Sequence, residues 1–257
     1  MKVFGMKNKI KKPATMAGCV AFWVLVWQIA AGIANKNLLL KIPLPLDTAK
    51  TLILNFNKPL FWQAVFTSLS HVLLGFVSAV VLGTLAAIIA NHSRLFNALS
   101  APIFHIIRSV PVAAFIIIAW LWVPTYFLPP FISFLMVFPI IKSQIDSGLS
   151  AVDDRLTEMA MVYGMGKLKI IKHIKIPTVL PFLRTAAITG LGIGWKSGIA
   201  AEVICNPTGS LGALLSGAKS TINYEQVFAV TLMVVILSLI LENILKLLWK
   251  EKNFDTN

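Results

Sequence analysis

The chain has 257 residues, 57% of them hydrophobic and 13% charged, with a mean hydropathy of +0.81, which excludes a soluble domain of this size and points to a polytopic membrane protein. A net charge of +13 invites a nucleic-acid reading, but the lysines lie mainly beside apolar spans and form no groove-lining patch interleaved with aromatics, so no nucleic-acid partner is expected. The two cysteines, Cys19 and Cys205, fall at different expected membrane depths and offer neither a disulfide framework nor a metal site.

In chain order, residues 1–15 form a basic amino terminus carrying Lys2, Lys7, Lys9, Lys11 and Lys12, and residues 16–257 read as one transmembrane domain. A first apolar helix is expected over 16–33. It is longer than a signal-peptide core and holds Trp23, Trp27 and Gln28, with cleavage near Ala34 as the alternative. Residues 35–62 are an external connection in which Pro43 and Pro45 deny a helix, followed by a short amphipathic piece ending near Phe61 and Trp62. The second helix is placed at 64–90, with Gly75, Ser78, Gly83 and Ala86 as small contact surfaces. An interfacial amphipathic stretch at 95–108 leads to a third helix at 110–122. The fourth, at 127–145, contains the kink-forming Pro139.

Residues 152–177 are a polar island between apolar segments. Val152, Leu156, Met159, Ala160 and Tyr163 share one stripe of a short helix, and Asp153 and Asp154 suit its first turn. Gly164 and Gly166 are expected to stop it. A second short helix sets Ile170, Ile171 and Ile174 against Lys169, Lys172 and His173 until Pro177 ends it.

The fifth helix is placed at 180–203. Its Gly190, Gly192 and Gly194 are no nucleotide loop, since no strand precedes them; Gly190 and Gly194 are expected to form a close-packing face, placed at a two-fold dimer axis. Residues 206–212 read as an external or re-entrant loop. The sixth helix covers 227–249 and ends with Glu242 and Lys246 as an i, i+4 pair. With the amino terminus, the 91–94 return, residues 142–184 and the carboxyl tail on one side, that side holds 16 Lys plus Arg against five on the other. The positive-inside rule therefore puts both termini in the cytosol.

Within the polar island, Glu158-Met159-Ala160, three residues, Gly164, nine residues and then Ile174-Lys175-Ile176-Pro177 resembles the EAA loop of binding-protein-dependent ABC importer permeases. Met159 and Ile176 depart from that pattern but stay apolar, and the spacing is intact. Further segments resemble the nitrate, sulfonate and taurine permeases: Arg108-Ser109-Val110-Pro111 with Trp120-Leu121-Trp122, Phe138-Pro139-Ile140, and Ala201-Glu202 with the 206–212 loop. The resemblance implies an all-α polytopic membrane protein with six transmembrane helices, the type I ABC importer (MetI-like) permease fold, in a bacterial inner membrane. It implies that Glu158, Met159, Ala160, Gly164, Ile174, Ile176 and Pro177 couple to a cytosolic ABC ATPase dimer. A solute-binding protein would deliver substrate outside, and a second permease copy and membrane lipid complete the expected partners.

No G-x-x-x-x-G-K-S/T occurs, and His71, His92, His105 and His173 lack ligand spacing, so the chain is expected to be no enzyme and to bind no metal or cofactor of its own. ATP and Mg would be used by the partner ATPase. Charges inside a membrane mark pathway candidates, because each costs about 2.5–3.5 kcal/mol on insertion scales. Lys196, beside Trp195, is one: it either faces the pathway and attracts an anion, snorkels, or pairs with Glu202 or Asp146. Glu202 reads as an acceptor for the adjoining loop or a pathway residue, and Arg108 as a lipid-phosphate contact. Trp120 and Trp122 read as interfacial belt aromatics. The substrate implied is a small anion such as nitrate, a sulfonate or taurine, with a pyrimidine or vitamin precursor as alternative. A stand-alone secondary transporter or channel is the rival, needing intramembrane carboxylates and an inverted repeat, and a membrane scaffold is the third reading.

Overall fold

The computed structural model describes residues 12–36 and 41–249. The lysine-rich segment ahead of Lys12 and the tail beyond Trp249 lie outside the described residues. Among the described residues all regular structure is helical: α1 (Lys12–Ala34), α2 (Pro45–Phe56), α3 (Pro59–His92), α4 (Arg94–Ser109), α5 (Val112–Trp120), α6 (Leu128–Ser150), α7 (Asp154–Val162), α8 (Lys167–Ile170), a π turn (Ile171–Lys175), α9 (Ile176–Cys205), α10 (Leu211–Ser220) and α11 (Tyr224–Leu248).

The helix starts follow from local chemistry. Pro45 and Pro59 open α2 and α3 at positions where a missing N–H leaves no intrahelical bond unmade. Ser93, Asp153, Ser210 and Asn223 cap α4, α7, α10 and α11 by accepting from the backbone N–H of Phe96, Arg155, Ala213 and Gln226. Pro59 therefore starts the second span ahead of the expected residue 64.

Among the described residues, four helical stretches are long and apolar enough to cross a membrane: Pro59–His92, Leu128–Ser150, the continuous Lys167–Cys205, and Tyr224–Leu248. The pair α4 and α5, bent by 107° at Val110 and Pro111, passes the same test as one broken span or re-entrant loop. The first expected span falls on α1, whose apolar stretch Gly18–Ala34 is shorter.

α6 is the central helix, packed along its length against α3 and α9. Small residues allow the approach: a Cβ on Gly194 would lie 2.8 Å from Val137 Cγ2 and 2.9 Å from Ser133 Oγ, both on α6. Gly190 meets Val137 in the same way. The Gly190 and Gly194 face is thus spent inside the chain, not on a dimer axis. Buried Leu52, Val65, Val72, Trp195 and Met233 join α2, α3, α9 and α11 into one cluster, and Ile116, Ile132 and Cys205 seat α5 on α6 and α9.

α4 is held to α6 by polar contacts. Arg108 is exposed, and its Nη2 donates to the Pro139 carbonyl at 2.7 Å, so part of this guanidinium is used within the fold. Buried Lys142 pairs with Asp146 at 2.6 Å, donates to Asn97 Oδ1 at 3.2 Å and lies 5.2 Å from the centroid of Phe104. α6 runs on to Ser150, past the expected end at 145. At the far end of α11 the Glu242–Lys246 pair forms at 2.6 Å.

Candidate functional site

Two features stand apart from the packed bundle. The first is the elbow between α6 and α9. Asp153 caps α7, and Asp154 in its first turn complements the helix dipole. Val152 precedes the helix and does not extend its stripe. α7 ends in a Schellman arrangement: Gly164 N–H donates to Met161 O and Met165 N–H to Ala160 O, both at 2.9 Å, with Gly164 at φ +75°. Only a residue without a Cβ takes that angle freely, and a Cβ there would meet nothing within 4 Å, so the constraint is conformational and not steric.

Thr157 and Ala160 turn inward and are buried, whereas Leu156, Met159, Val162 and Tyr163 are exposed, Tyr163 by 84%. Glu158 is exposed beside them. Gly166 does not stop α7; it stands at the amino-terminal cap of α8. Nor does Pro177 end a helix. α8 runs through the π turn into α9, and Pro177 occupies the first turn of α9, where its missing N–H falls beside the register shift. Ile174 is half-buried, while Ile176 and Pro177 are exposed. The elbow is therefore a helix and a tight turn joined to a spanning helix through one π turn.

The second feature is a buried knot around Glu202. Its Oε2 accepts from Ser68 Oγ at 2.6 Å and from Gly212 N–H at 3.1 Å, and its Oε1 accepts from His71 Nδ1 at 2.8 Å. Ser68 Oγ in turn accepts from Leu211 N–H at 2.9 Å. Glu202, Ser68 and His71 are all essentially inaccessible. A carboxylate can stay buried there because three donors replace its water. The knot ties α3, α9 and the start of α10 together; His71 Nε2 has no hydrogen-bond partner among the described residues, and the imidazole stands edge-to-face with Tyr126, ring centroids 5.0 Å apart. Ser68, His71 and Gly212 were not singled out as Glu202 partners by sequence; the available signal was a histidine in the middle of an apolar span.

Of the three pathway candidates, Trp195 and Glu202 face inward. Trp195 is buried and its Nε1 donates to Val234 O at 3.1 Å, so its role is to seat α9 on α11. Lys196 points the other way and is exposed, and among the described residues it pairs with neither Glu202 nor Asp146. Thr185, Thr189, Gly192 and Ala200 lie on the same side of α9 at helical spacing, bordered by exposed Ile193, a more polar face than the Leu and Val face that α3 presents.

Residues 79–251 match the family of binding-protein-dependent transport system inner membrane components. The chain belongs to this family. The matched segment holds the elbow, Lys196, Glu202 and Gly212 of the permease, while Ser68 and His71 lie ahead of it. The permease is 28% identical over 205 residues to the bicarbonate transport system permease protein of Synechococcus elongatus, covering 74% of this chain and 70% of the relative. It is 24% identical over 231 residues to the taurine transport system permease protein of Escherichia coli, covering 88% and 83%. It is also 26% identical over 251 residues to the nitrate import permease protein of Synechocystis, covering 93% and 88%.

Proposed function

We propose that this permease is the membrane-spanning subunit of an ATP-binding cassette importer and that the elbow docks on a cytosolic ATPase. The observation that carries the reading is the α7 surface. Leu156, Met159, Val162 and Tyr163 form an apolar face left exposed among the described residues, at the tip of a turn whose spacing from Glu158 to Pro177 resembles the coupling loop. An apolar face of this kind at the end of a membrane protein needs a protein groove to cover it. The π turn then links ATPase movement to α9, one of the two helices that clasp α6.

In this reading both termini are cytosolic, two copies enclose the pathway, and a binding protein delivers solute on the outer side. Lys196 and the Thr185, Thr189 face of α9 line that pathway. The relatives are named for bicarbonate, taurine and nitrate. Bicarbonate and nitrate are anions, taurine carries a sulfonate, and a lysine on an open face suits all three, so the substrate proposed is a small oxyanion or sulfonate. Glu202 supports this reading over a cation-coupled transporter, since it is buried and both of its oxygens already accept from protein donors.

The test is substrate-stimulated ATP hydrolysis by the reconstituted permease and ATPase with Gly164→Val. A β-branched residue at φ +75° distorts the turn while meeting no neighbour, so insertion is retained and stimulation is lost. Full stimulation in the variant would contradict the docking assignment.

A further inference from the structure

We infer that the root of the elbow is a binding site for an anionic phospholipid of the adjoining leaflet, placed so that the lipid braces the π turn. This rests on the reading of the elbow as the cytosolic, ATPase-facing end of the permease.

Two adjoining cavities carry the inference. One, of about 520 Å³, lies between the ends of α3 and α6, the inner side of α7 and the π turn, and its lining includes His92, Lys167 and Lys175 with Asp154 as its one carboxylate. The other, of about 330 Å³, runs from the same place toward the bundle and is walled by Ile88, Ile145, Val179, Leu180 and Leu183. They share Asn91, His92, Leu149, Ile171 and Lys175. One compartment is polar with an excess of positive charge; the next is apolar. A soluble anion would have use for the first alone, whereas a phospholipid places its phosphate in the first and its upper acyl methylenes in the second. The depth also fits, because α3 and α6 reach the ends of their apolar spans at His92 and Ser150.

The cations are available. Among the described residues neither Lys167 nor Lys175 is ion-paired, and Lys175 is half-buried at the mouth shared by both cavities. His92 Nδ1 donates to Ile88 O at 2.8 Å, which fixes the ring and directs Nε2 away from its own helix. Ile171 and Lys175 are the first and last residues of the π turn, and both line both cavities. The π turn closes one wide bond, from Ile176 N–H to Ile171 O, and is the one stretch that is not α-helical in the run from α8 to α9. A headgroup held by Lys175 and Lys167 would therefore join the two sides of that joint and limit how far α7 swings against α9.

The experiment is native mass spectrometry of the permease purified in mild detergent with its ATPase, challenged with phosphatidylglycerol and with phosphatidylcholine. The wild type should retain phosphatidylglycerol preferentially. Lys167→Gln with Lys175→Gln should lower that retention by roughly tenfold or more, as expected for two lysines at a headgroup. Lys50→Gln with Lys219→Gln, at the opposite end of the molecule, should leave it unchanged. Val179→Phe, which narrows the apolar cavity without altering charge, should also release the lipid. Inorganic phosphate should not compete at millimolar concentration. Equal retention in the lysine variant would overturn the site, as would loss caused by phosphate with no effect of Val179→Phe, which would indicate a free-anion site instead. Co-purification of the ATPase in the same spectra separates the two readings: if the ATPase is bound and lipid retention is indifferent to Lys167 and Lys175, the lipid inference alone fails.

Discussion

Gly212 and Glu202 show how closely single residues are constrained. A Cβ on Gly212 would lie 2.2 Å from Glu202 Cβ, 2.5 Å from the Glu202 carbonyl carbon and 2.6 Å from Val203 N. Two of these atoms are backbone and cannot swing aside, so Gly212→Ala must push α10 off α9. The expected cost is about 3 kcal/mol, read as a lowered unfolding temperature of the purified permease. Glu202→Gln keeps the shape but replaces charge-assisted bonds from Ser68 and His71 by weaker or mismatched ones, at a cost of about 2 kcal/mol. Lys196 obeys a different logic, because it is exposed and packs against nothing that its loss would disturb. Lys196→Gln should leave thermal stability unchanged and raise the KM for an anionic substrate by roughly tenfold, one contact's worth of free energy. Lys196→Arg should restore uptake. A KM indifferent to Lys196→Gln in proteoliposome uptake would remove this residue from the pathway.

At the scale of elements, long apolar helices were legible because composition alone fixes them, and α3, α6, α9 and α11 fall close to their expected places. α7 was legible from periodicity and from the acidic pair Asp153 and Asp154 at its start, of which Asp153 proves to be the cap. The departures have separate physical causes. α10 follows a cluster of Asn206, Pro207 and Gly209 that reads as loop; the helix exists because Ser210 caps it and because the Glu202 knot holds its first turn. The continuity from α8 into α9 was hidden by Pro177, since a proline reads as a stop unless a register shift takes up its missing bond. The Gly190 and Gly194 face was legible as a packing surface, but its partner, α6, is settled only in three dimensions. Arg108 and Lys142 likewise find a carbonyl and an amide across the α4–α6 contact that no spacing rule predicts, whereas the Lys142–Asp146 pair has ordinary i, i+4 spacing within α6. On the proposed docking role of the elbow, Gly164→Ala should cost about 1 kcal/mol locally and reduce coupling partially, with Gly164→Val more severe. Comparing ATPase stimulation across wild type, Ala and Val checks that order.

For the whole molecule, the architecture sets a tightly packed block beside a sparsely held arm. α3, α6 and α9 interlock through glycines and the Glu202 knot, and the α4 contacts clamp the bent segment to α6. The elbow, by contrast, touches the rest of the chain through few residues and ends in an apolar face. That distribution suits a subunit driven from one end by a partner that binds the arm and moves α9 through the π turn. The most direct measurement is affinity purification of the chain from its native membrane, wild type beside Gly164→Val, with identification of every protein retained. The account predicts an ATP-binding cassette ATPase in the wild-type sample and its loss, with the permease still inserted, in the variant. An ATPase held equally by both, or a homo-oligomer that carries none, would contradict it.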